Sequence, residues 1–451
     1  MLTKIFAVFR NKHFLSLSGN VIMSGLGMLN LAILFRSLSI TDAGIWAYFG
    51  VVLTLIDSMR SGFITTAFIK FYAGASPERA DDVAGSTWFV GGCITGLLIL
   101  VNIPFLFFTN LIPDEGYKLL IRWFAVCFAC MLPWFIATCV VMGEQRFDKL
   151  LYIRLVNVGG FTVYIILLIL FKRMTISWVV YAYVFSHFVT SVFCLIRGWS
   201  RINTFNKRTR ATILELYHFG KYSLGTSLSA NLWNFSDSFM LKTLLSGPVG
   251  YAAVAIFNLG QNLMQAVEIL LRSFAATALP SLAAAFNSGE KDSVIYTMKK
   301  YIGMITLMLI PIILFGWLLA DLPIYIIGGG KYLNTPAANI FRILLAFCII
   351  TPADRFFALT IDVINKPKVN FYKLLVMVAT NIIFNYIGLL LFPNAYGVTV
   401  STFAPILVGL FVGYFVLNKW QAFSFWDIYV VGWREAKAAM VNAKQTFLPK
   451  R

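Results

Sequence analysis

Oppositely charged residues occur close together inside long apolar segments of this sequence, and their spacing suits either ion pairing or ligand binding. Asp57 and Arg60 are three residues apart, so a helix places them on one face. Glu268 and Arg272 are four residues apart, on adjacent turns of another apolar segment. A charged side chain at the centre of a membrane helix costs roughly 2.5–3.5 kcal/mol. Charges kept there therefore have partners, contact water or serve a function.

A third pair, Asp354 and Arg355, leaves the same two interpretations open. Each acid and Arg either form a structural ion pair, or the arginines of different helices line a hydrated cationic cavity. The planar fork of Arg binds phosphate groups with two hydrogen bonds, which the ammonium of Lys cannot reproduce. On the second interpretation, the predicted substrate-binding residues are Arg36, Arg60, Lys242, Arg272 and Arg355. The predicted coupling or ion-pair residues are Asp57, Asp237, Glu268 and Asp354.

No pattern typical of catalysis or nucleotide binding accompanies these charges. His13, His187 and His218 are too scattered for a metal or catalytic set, and the Cys127–Cys130 pair lies in an apolar run without a partner cluster. GGGK at 328–331 lacks the spacing of a P-loop. We therefore expect no cofactor, no metal centre and no ATP-driven step, and we do not expect an enzyme.

The composition excludes an ordinary soluble protein. Hydrophobic residues make up 59% of the 451 residues and charged residues only 12%. A hydrocarbon core about 30 Å thick needs about 20 apolar residues per helix, and such runs recur along the whole chain. We predict an all-α polytopic membrane protein. Its twelve predicted spans are 14–36, 45–70, 83–108, 119–142, 152–171, 174–196, 222–246, 251–276, 297–320, 338–362, 371–392 and 396–418.

The distribution of Lys and Arg predicts the orientation. Most of the 37 basic residues fall in alternate loops and in both tails, which the positive-inside rule assigns to the cytoplasm. We therefore expect the inner membrane of a bacterium, with both termini cytoplasmic. The net charge of +18 follows from this topology and indicates no nucleic-acid partner. Arg122 and Arg342, near span ends, are expected to reach lipid phosphate. The basic residues assigned to the outer side are Arg36, Lys118, Lys172, Arg173, Lys242 and Lys331, of which the adjacent Lys172 and Arg173 violate the rule locally.

A basic stretch at 197–221 separates two halves of similar length. It predicts a cytoplasmic linker between an N-terminal six-helix lobe at 1–196 and a C-terminal six-helix lobe at 222–418. The last segment, 419–451, mixes Trp with Lys and Arg and is too short in its apolar part to span. It predicts an amphipathic cytoplasmic tail at the membrane interface.

The halves resemble each other at a fixed offset. RSLSITDAG, beginning at Arg36, aligns with KTLLSGPVG, beginning at Lys242, and each joins a first helix to a second. Repeated bundles with the substrate at the repeat interface are common in transporters that work by alternating access. We predict two pseudo-symmetric six-helix bundles.

The opening spans, joined by LFRSLSITDAGIWAYFG, resemble the start of polysaccharide-transport family proteins. Arg36, Asp42, Gly44 and Tyr48 fit its pattern of an Arg, a short turn and an acidic-small-Gly-aromatic cluster. SFAATALPSLAAAFNSGEKD, at 273–292, is similar to a Pro-ended helix of the same superfamily. The polysaccharide-transport family proteins are O-antigen flippase-type members of the multidrug/oligosaccharidyl-lipid/polysaccharide superfamily. The resemblance implies translocation of an undecaprenyl-pyrophosphate-linked oligosaccharide for surface polysaccharide assembly. The implied partners are that lipid-linked glycan, membrane lipid and other polysaccharide-assembly proteins.

Three other functions stay open, one of which is a nontransporting assembly partner, a role that would leave the buried charges unexplained. A cation-coupled multidrug exporter of the same superfamily would rely on acidic pocket residues, whereas here Arg accompanies the acids. A membrane-embedded glycan polymerase or glycosyltransferase would need a catalytic outer loop, and the predicted outer loops are short.

Overall fold

The computed structural model describes residues 12–447 and consists of α-helices with short connections in that range. The predicted basic N-terminus and the last residues of the predicted tail lie outside the described residues. The chain divides into two compact units between Phe235 and Ser236, inside the seventh predicted span. The predicted limits of the lobes and of the linker stay a prediction.

The first unit contains seven helices and the start of an eighth. They are α1 Lys12–Ser37, α2 Ile40–Tyr72, α3 Pro77–Phe107, α4 Glu115–Gly143, α5 Phe147–Arg154, α6 Gly160–Leu170, α7 Ile176–Ile196 and α8 Arg210–Leu244. A π-helical turn, Leu155–Gly159, joins α5 to α6, so that the two form one span.

The second unit contains the end of α8 and the remaining helices. They are α9 Gly247–Asn287, α10 Lys291–Leu318, α11 Asp321–Gly328, α12 Gly330–Leu333, α13 Ala337–Phe347, α14 Thr351–Val363, α15 Pro367–Leu391, α16 Ala395–Ser401, α17 Phe403–Trp420 and α18 Asp427–Phe447. The predicted tenth span is bent by 47° between α13 and α14.

Nine helical segments of the described residues are long and apolar enough to cross a membrane, and the bent pair α13–α14 raises the number to ten. The first and seventh predicted spans are helical as well. For α1, the stretch recognised as apolar is Ile22–Ser37, which is short. For α8, a run of Ser and Asn residues between 223 and 238 lowers the hydropathy.

Helix starts follow from local chemistry. Ser39 caps α2 by accepting a hydrogen bond from the backbone N–H of Asp42 at 3.0 Å. The Asp114 carboxylate caps α4 in the same way, and Glu115 adds a negative charge to the first turn. Ser246 is the N-cap residue of α9, one residue beyond Leu245, which the sequence offset pairs with Ser39. Both breaks consist of two residues between consecutive helices, and the helix ends correspond at an offset one residue longer than the predicted repeat.

The core of the first unit lies among α2, α3 and α4, with α7 packed on α4. One cluster joins Phe68, Trp88 and Ile136 from the three helices. A second joins Phe49, Phe128 and other apolar residues with α7. Close packing of these aromatic and branched side chains stabilises the helix contacts, because lipid tails are as apolar as the side chains themselves.

The basic linker is fastened to the first unit. Asp82 of α3 accepts hydrogen bonds from the backbone N–H of Thr209 at 2.9 Å and from the Thr212 hydroxyl at 2.6 Å. Arg201 forms ion pairs with Asp81 and Glu144, at 3.2 and 3.1 Å. The indole N–H of Trp88 donates to the carbonyl of Ser200 at 2.6 Å, and a Cβ at Gly85 would collide with the carbonyl of Thr204. The linker is therefore part of the first unit.

Helix α18, in the predicted tail, packs along α10. The backbones of Gly303 and Gly432 touch so closely that a Cβ on either would overlap the other helix. Lys300 Nζ lies 2.6 Å from Glu435 Oε2, and the Tyr296 hydroxyl donates to the other carboxylate oxygen. These bonds hold the pKa of the Glu435 carboxyl below its ordinary value. The described part of the tail is a docked helix.

Candidate functional site

In the first unit, Arg60 is fully enclosed by α2, α3 and α4. Its side chain is 0% exposed, and one guanidinium nitrogen lies 2.5 Å from Asp57 Oδ1. The other terminal nitrogen reaches the carbonyl of Phe128 at 3.4 Å and the hydroxyl of Thr95 at 3.5 Å. The rings of Phe128 and Phe135 lie 5.3 and 4.7 Å from the guanidinium carbon. We call Asp57, Arg60, Thr95, Phe128 and Phe135 the Arg60 cluster.

Within the Arg60 cluster, the two terminal nitrogens of the guanidinium have different partners. Asp57 is 26% exposed, so its carboxylate forms the open edge of the cluster. Arg60 Nε has no hydrogen-bond partner among the described residues. The predicted ion pair within α2 is thus present, and it leaves one buried donor of Arg60 unused.

In the second unit, the central charge is Asp237 of α8, which is 0% exposed. The amide groups of Asn381 and Asn385 on α15 each donate a hydrogen bond to Asp237 Oδ1 at 2.7 Å. Asn381 also donates to the Ser236 hydroxyl at 2.9 Å. We call these four residues the Asp237 cluster.

The Asp237 cluster has more acceptors than donors. Asp237 Oδ2, Asn381 Oδ1 and Asn385 Oδ1 are buried and have no hydrogen-bond partner within residues 12–447. A buried carboxylate without a cation or a proton is costly, and so is each unsatisfied carbonyl. Oxygen-rich sites of this kind in membrane transporters take a proton or a small hard cation. The cluster is chemically suited to neutralisation by one of these.

Asp354 has a different partner from the predicted one. Lys373 Nζ of α15, which is 5% exposed, lies 2.6 Å from Asp354 Oδ1. Arg355 points to the exposed surface. The expectation that Asp354 pairs with Arg355 is therefore wrong, because neighbouring residues on a helix do not face each other.

Glu268 and Arg272 form the predicted pair on α9, with 2.9 Å between Arg272 and Glu268 Oε2. Both side chains are half or more exposed, at 50% and 68%. Arg36 is exposed in the last turn of α1. Lys242 is buried in the last turn of α8, with Nζ 4.4 Å from the centre of the Tyr251 ring. A common cavity for the predicted arginines stays a prediction.

The sequence reasoning missed Asn381, Asn385 and Lys373. The two Asn residues are four apart in an apolar run, so they share a helix face, and this spacing was a usable signal. Lys373 was assigned to no function, although a Lys so far inside a span also needs a partner. His187, which was assigned to no site, stacks on Trp134 with ring centres 5.5 Å apart and lies 2.8 Å from the Asn157 amide nitrogen.

Comparison with known proteins extends these findings. The model of the polysaccharide biosynthesis protein family matches residues 9–286, and that of the MatE family matches residues 223–387. A comparison with curated proteins found no match.

Solved structures share the fold over nearly the whole chain. An inward-facing multidrug resistance MATE family transporter of the MOP superfamily is 15% identical, with a TM-score of 0.71 over 97% of this chain and 100% of that one. The lipid II flippase MurJ, in an inward closed conformation, is 13% identical, with a TM-score of 0.71 over 97% of this chain and 94% of that one. An outward-facing MATE transporter is 15% identical, with a TM-score of 0.56 over 92% and 94% of the two chains.

The helical fold of this chain matches these membrane transporters over 92–97% of its length, so the predicted all-α polytopic fold class is confirmed. The predicted resemblance is confirmed as well. The polysaccharide biosynthesis family model matches more than half of the sequence. The chain therefore belongs to the polysaccharide biosynthesis protein family and has the fold of the multidrug/oligosaccharidyl-lipid/polysaccharide superfamily.

Proposed function

We propose that the protein is a flippase that moves a lipid-linked oligosaccharide across the bacterial inner membrane by alternating access. The substrate class is an undecaprenyl-pyrophosphate-linked glycan used for surface polysaccharide assembly. The observation that carries this proposal is the polysaccharide biosynthesis family match, which covers residues 9–286. The shared fold with the lipid II flippase MurJ, over 97% of the chain, supports a lipid-linked substrate.

In this flippase, transport is coupled to an ion gradient at the Asp237 cluster. A small cation or a proton neutralises the Asp237 carboxylate, and its arrival or release biases the equilibrium between the two access states. Three buried oxygens without donors on α8 and α15 support this role. Since no nucleotide-binding motif occurs in the sequence, an ion gradient is the energy source that fits.

A second candidate is a cation-coupled multidrug exporter. The MatE family model matches residues 223–387, which include Asp237, Asn381 and Asn385. The two candidates share the coupling step and differ in cargo. A genetic experiment separates them.

The cargo is tested by deleting the gene in its host. Under the proposal, the lipid-linked glycan accumulates in the cytoplasmic leaflet, and surface polysaccharide is lost and then restored by the wild-type gene. Greater sensitivity to cationic drugs with unchanged surface polysaccharide would instead support the exporter.

The coupling step is tested with Asp237→Asn. This change keeps the acceptor for both Asn amides and removes the charge. In purified wild-type protein, binding of the coupling cation to the folded state should raise the midpoint of thermal unfolding. We expect Na⁺ to raise it by several degrees in the wild type and to have no effect in Asp237→Asn, whereas Asp148→Asn, in an exposed pair with Arg146, should behave as wild type. An insensitive wild type whose transport follows the pH gradient would assign the site to a proton.

A further inference from the structure

Helices α4, α6 and α7 of the first unit enclose a groove with a cavity volume of about 560 Å³, within the range of small-molecule sites. Its lining is almost entirely apolar and mostly aromatic. The groove follows α7 from Trp178 to Phe188, which at 1.5 Å per residue is roughly 15 Å. The aromatic rings along it include Trp123, Tyr164, Trp178, Tyr181, Phe185 and Phe188.

One end of the groove carries a concentration of positive charge. Lys172 and Arg173, both exposed, form the connection between α6 and α7 directly after Phe171, which lines the groove. The Arg173 guanidinium carbon lies 5.6 Å from the Trp178 ring centre. Arg122 lies one helical turn before Val126, so it shares the face of α4 that lines the groove. The groove therefore has an apolar body and a cationic mouth.

Neither topology nor ion pairing explains these cations. Lys172 and Arg173 lie in a loop on the predicted outer side, where Lys and Arg are otherwise sparse, and Arg122 lies in the second turn of α4. No ion pair involves Lys172, Arg173 or Arg122 in the part of the chain that the structure describes. Lys172 also has a φ of 52°, in the left-handed region where helices commonly end with Gly. Exposed cations without an acidic partner at the end of an apolar groove are available to an anionic head group.

The shape and charge together select the ligand. A narrow apolar groove between membrane helices fits a single hydrocarbon chain, and aromatic rings suit such a chain at the membrane boundary. Arg and Lys at its mouth favour a phosphate group over a zwitterion or a neutral head group. We propose that the groove holds one acyl chain of an anionic phospholipid, with the phosphate at Lys172 and Arg173. The lipid comes from the leaflet that contacts the α6–α7 loop, and the site does not depend on the transported cargo.

The test places purified protein in vesicles of equal parts phosphatidylglycerol and phosphatidylcholine, then measures the lipid retained after purification. Wild-type protein should retain phosphatidylglycerol in excess. Each cation near an anionic head group is worth about fivefold in affinity, so Lys172→Gln with Arg173→Gln should reduce the preference roughly thirtyfold. Arg197→Gln is the matched control. Arg197 is at the opposite end of α7 and also lies against an indole ring, with Trp199 at 5.5 Å.

A second pair of variants tests the groove itself. Leu167→Trp fills the groove, whereas Leu170→Trp places the same ring on α6 outside the lining, where Leu170 is 70% exposed. Of these two, Leu167→Trp alone should abolish phosphatidylglycerol retention. Val126→Trp, which fills the groove from α4, should abolish it too. Melting temperature and monodisperse elution show that each variant is folded.

Three results would overturn the assignment. Equal retention of both lipids by the wild type removes the preference for anionic lipid. Equal retention by the Leu167→Trp and Leu170→Trp variants places the lipid elsewhere. Displacement of phosphatidylglycerol by an equimolar polyprenyl phosphate would assign the groove to an isoprenoid chain.

Discussion

Arg60 has three kinds of partner at once: the Asp57 carboxylate, the backbone carbonyl of Phe128 and two aromatic faces. The planar guanidinium bonds through two separate nitrogens and offers a face to aromatic rings, a combination that Lys cannot reproduce. Asp237 has the reverse composition, a buried acid with two amide donors and free acceptors. The charge of Arg60 is neutralised by a carboxylate of the protein, whereas the charge of Asp237 has no cation among the described residues and calls for one from outside.

Mutation of the Arg60 cluster separates structure from substrate binding. Arg60→Met leaves Asp57 without its cation and should lower the free energy of unfolding by about 2–4 kcal/mol. Arg60→Met with Asp57→Asn should recover at least half of that loss, because no uncompensated charge remains. Thermal unfolding in detergent measures both, and Arg272→Met, at an exposed pair, should cost less than 1 kcal/mol.

The transport activity of the double variant distinguishes a substrate-binding role of Arg60 from a structural one. A stable Asp57→Asn, Arg60→Met variant that no longer supports surface polysaccharide assembly supports substrate binding. The same variant with full transport would leave Arg60 as a packing charge.

Among the elements, the basic linker shows how a charged segment becomes part of a bundle. The side chain of Asp82 binds Thr209 and Thr212 at the start of α8, where the N-terminal N–H groups of a helix need acceptors. Lys207 and Arg201 add ion pairs to Asp81, at 2.7 and 3.2 Å. The linker is therefore docked by specific hydrogen bonds as well as by its net charge.

Removal of the Asp82 carboxylate tests this docking. Asp82→Ala deletes a helix-capping group, a loss of about 1–2 kcal/mol. The population of the open linker then rises, and trypsin cleavage after Lys207, Arg208 or Arg210 should accelerate roughly tenfold. Asp148→Ala, in an exposed pair with Arg146, serves as the control. Equal cleavage rates in the two variants would mean that Asp82 does not hold the linker.

For the whole molecule, the main expectation is its orientation in the membrane. Loops on one predicted side carry most Lys and Arg, and such loops stay in the cytoplasm. Single cysteines at Asn110, Asn206 and Lys437 sample exposed positions of the α3–α4 connection, the linker and α18. In a background without the six native cysteines, Asn110→Cys should react with a membrane-impermeant thiol reagent in intact cells.

Asn206→Cys and Lys437→Cys should react only after the membrane is opened. Labelling of all three after permeabilisation is the control for accessibility. Reaction of Asn206→Cys but not Asn110→Cys in intact cells would invert the predicted topology and would move the mouth of the lipid groove to the cytoplasmic leaflet.

The sequence by itself determined the class of molecule, because hydropathy and helix periodicity are local properties. It located the helical segments and the Asp57–Arg60 pair, whose members share a helix face through a fixed spacing. The MatE and polysaccharide biosynthesis matches likewise follow from the sequence alone.

Only the tertiary structure decided which helices face each other. It paired Asp354 with Lys373, nineteen residues away, and brought Asn381 and Asn385 to Asp237 from another helix. The linker packs on α3, and α18 packs on α10, neither of which could be read from the sequence. Such contacts depend on helix rotation and packing, since the spacing along one chain says which residues share a face but not what lies opposite.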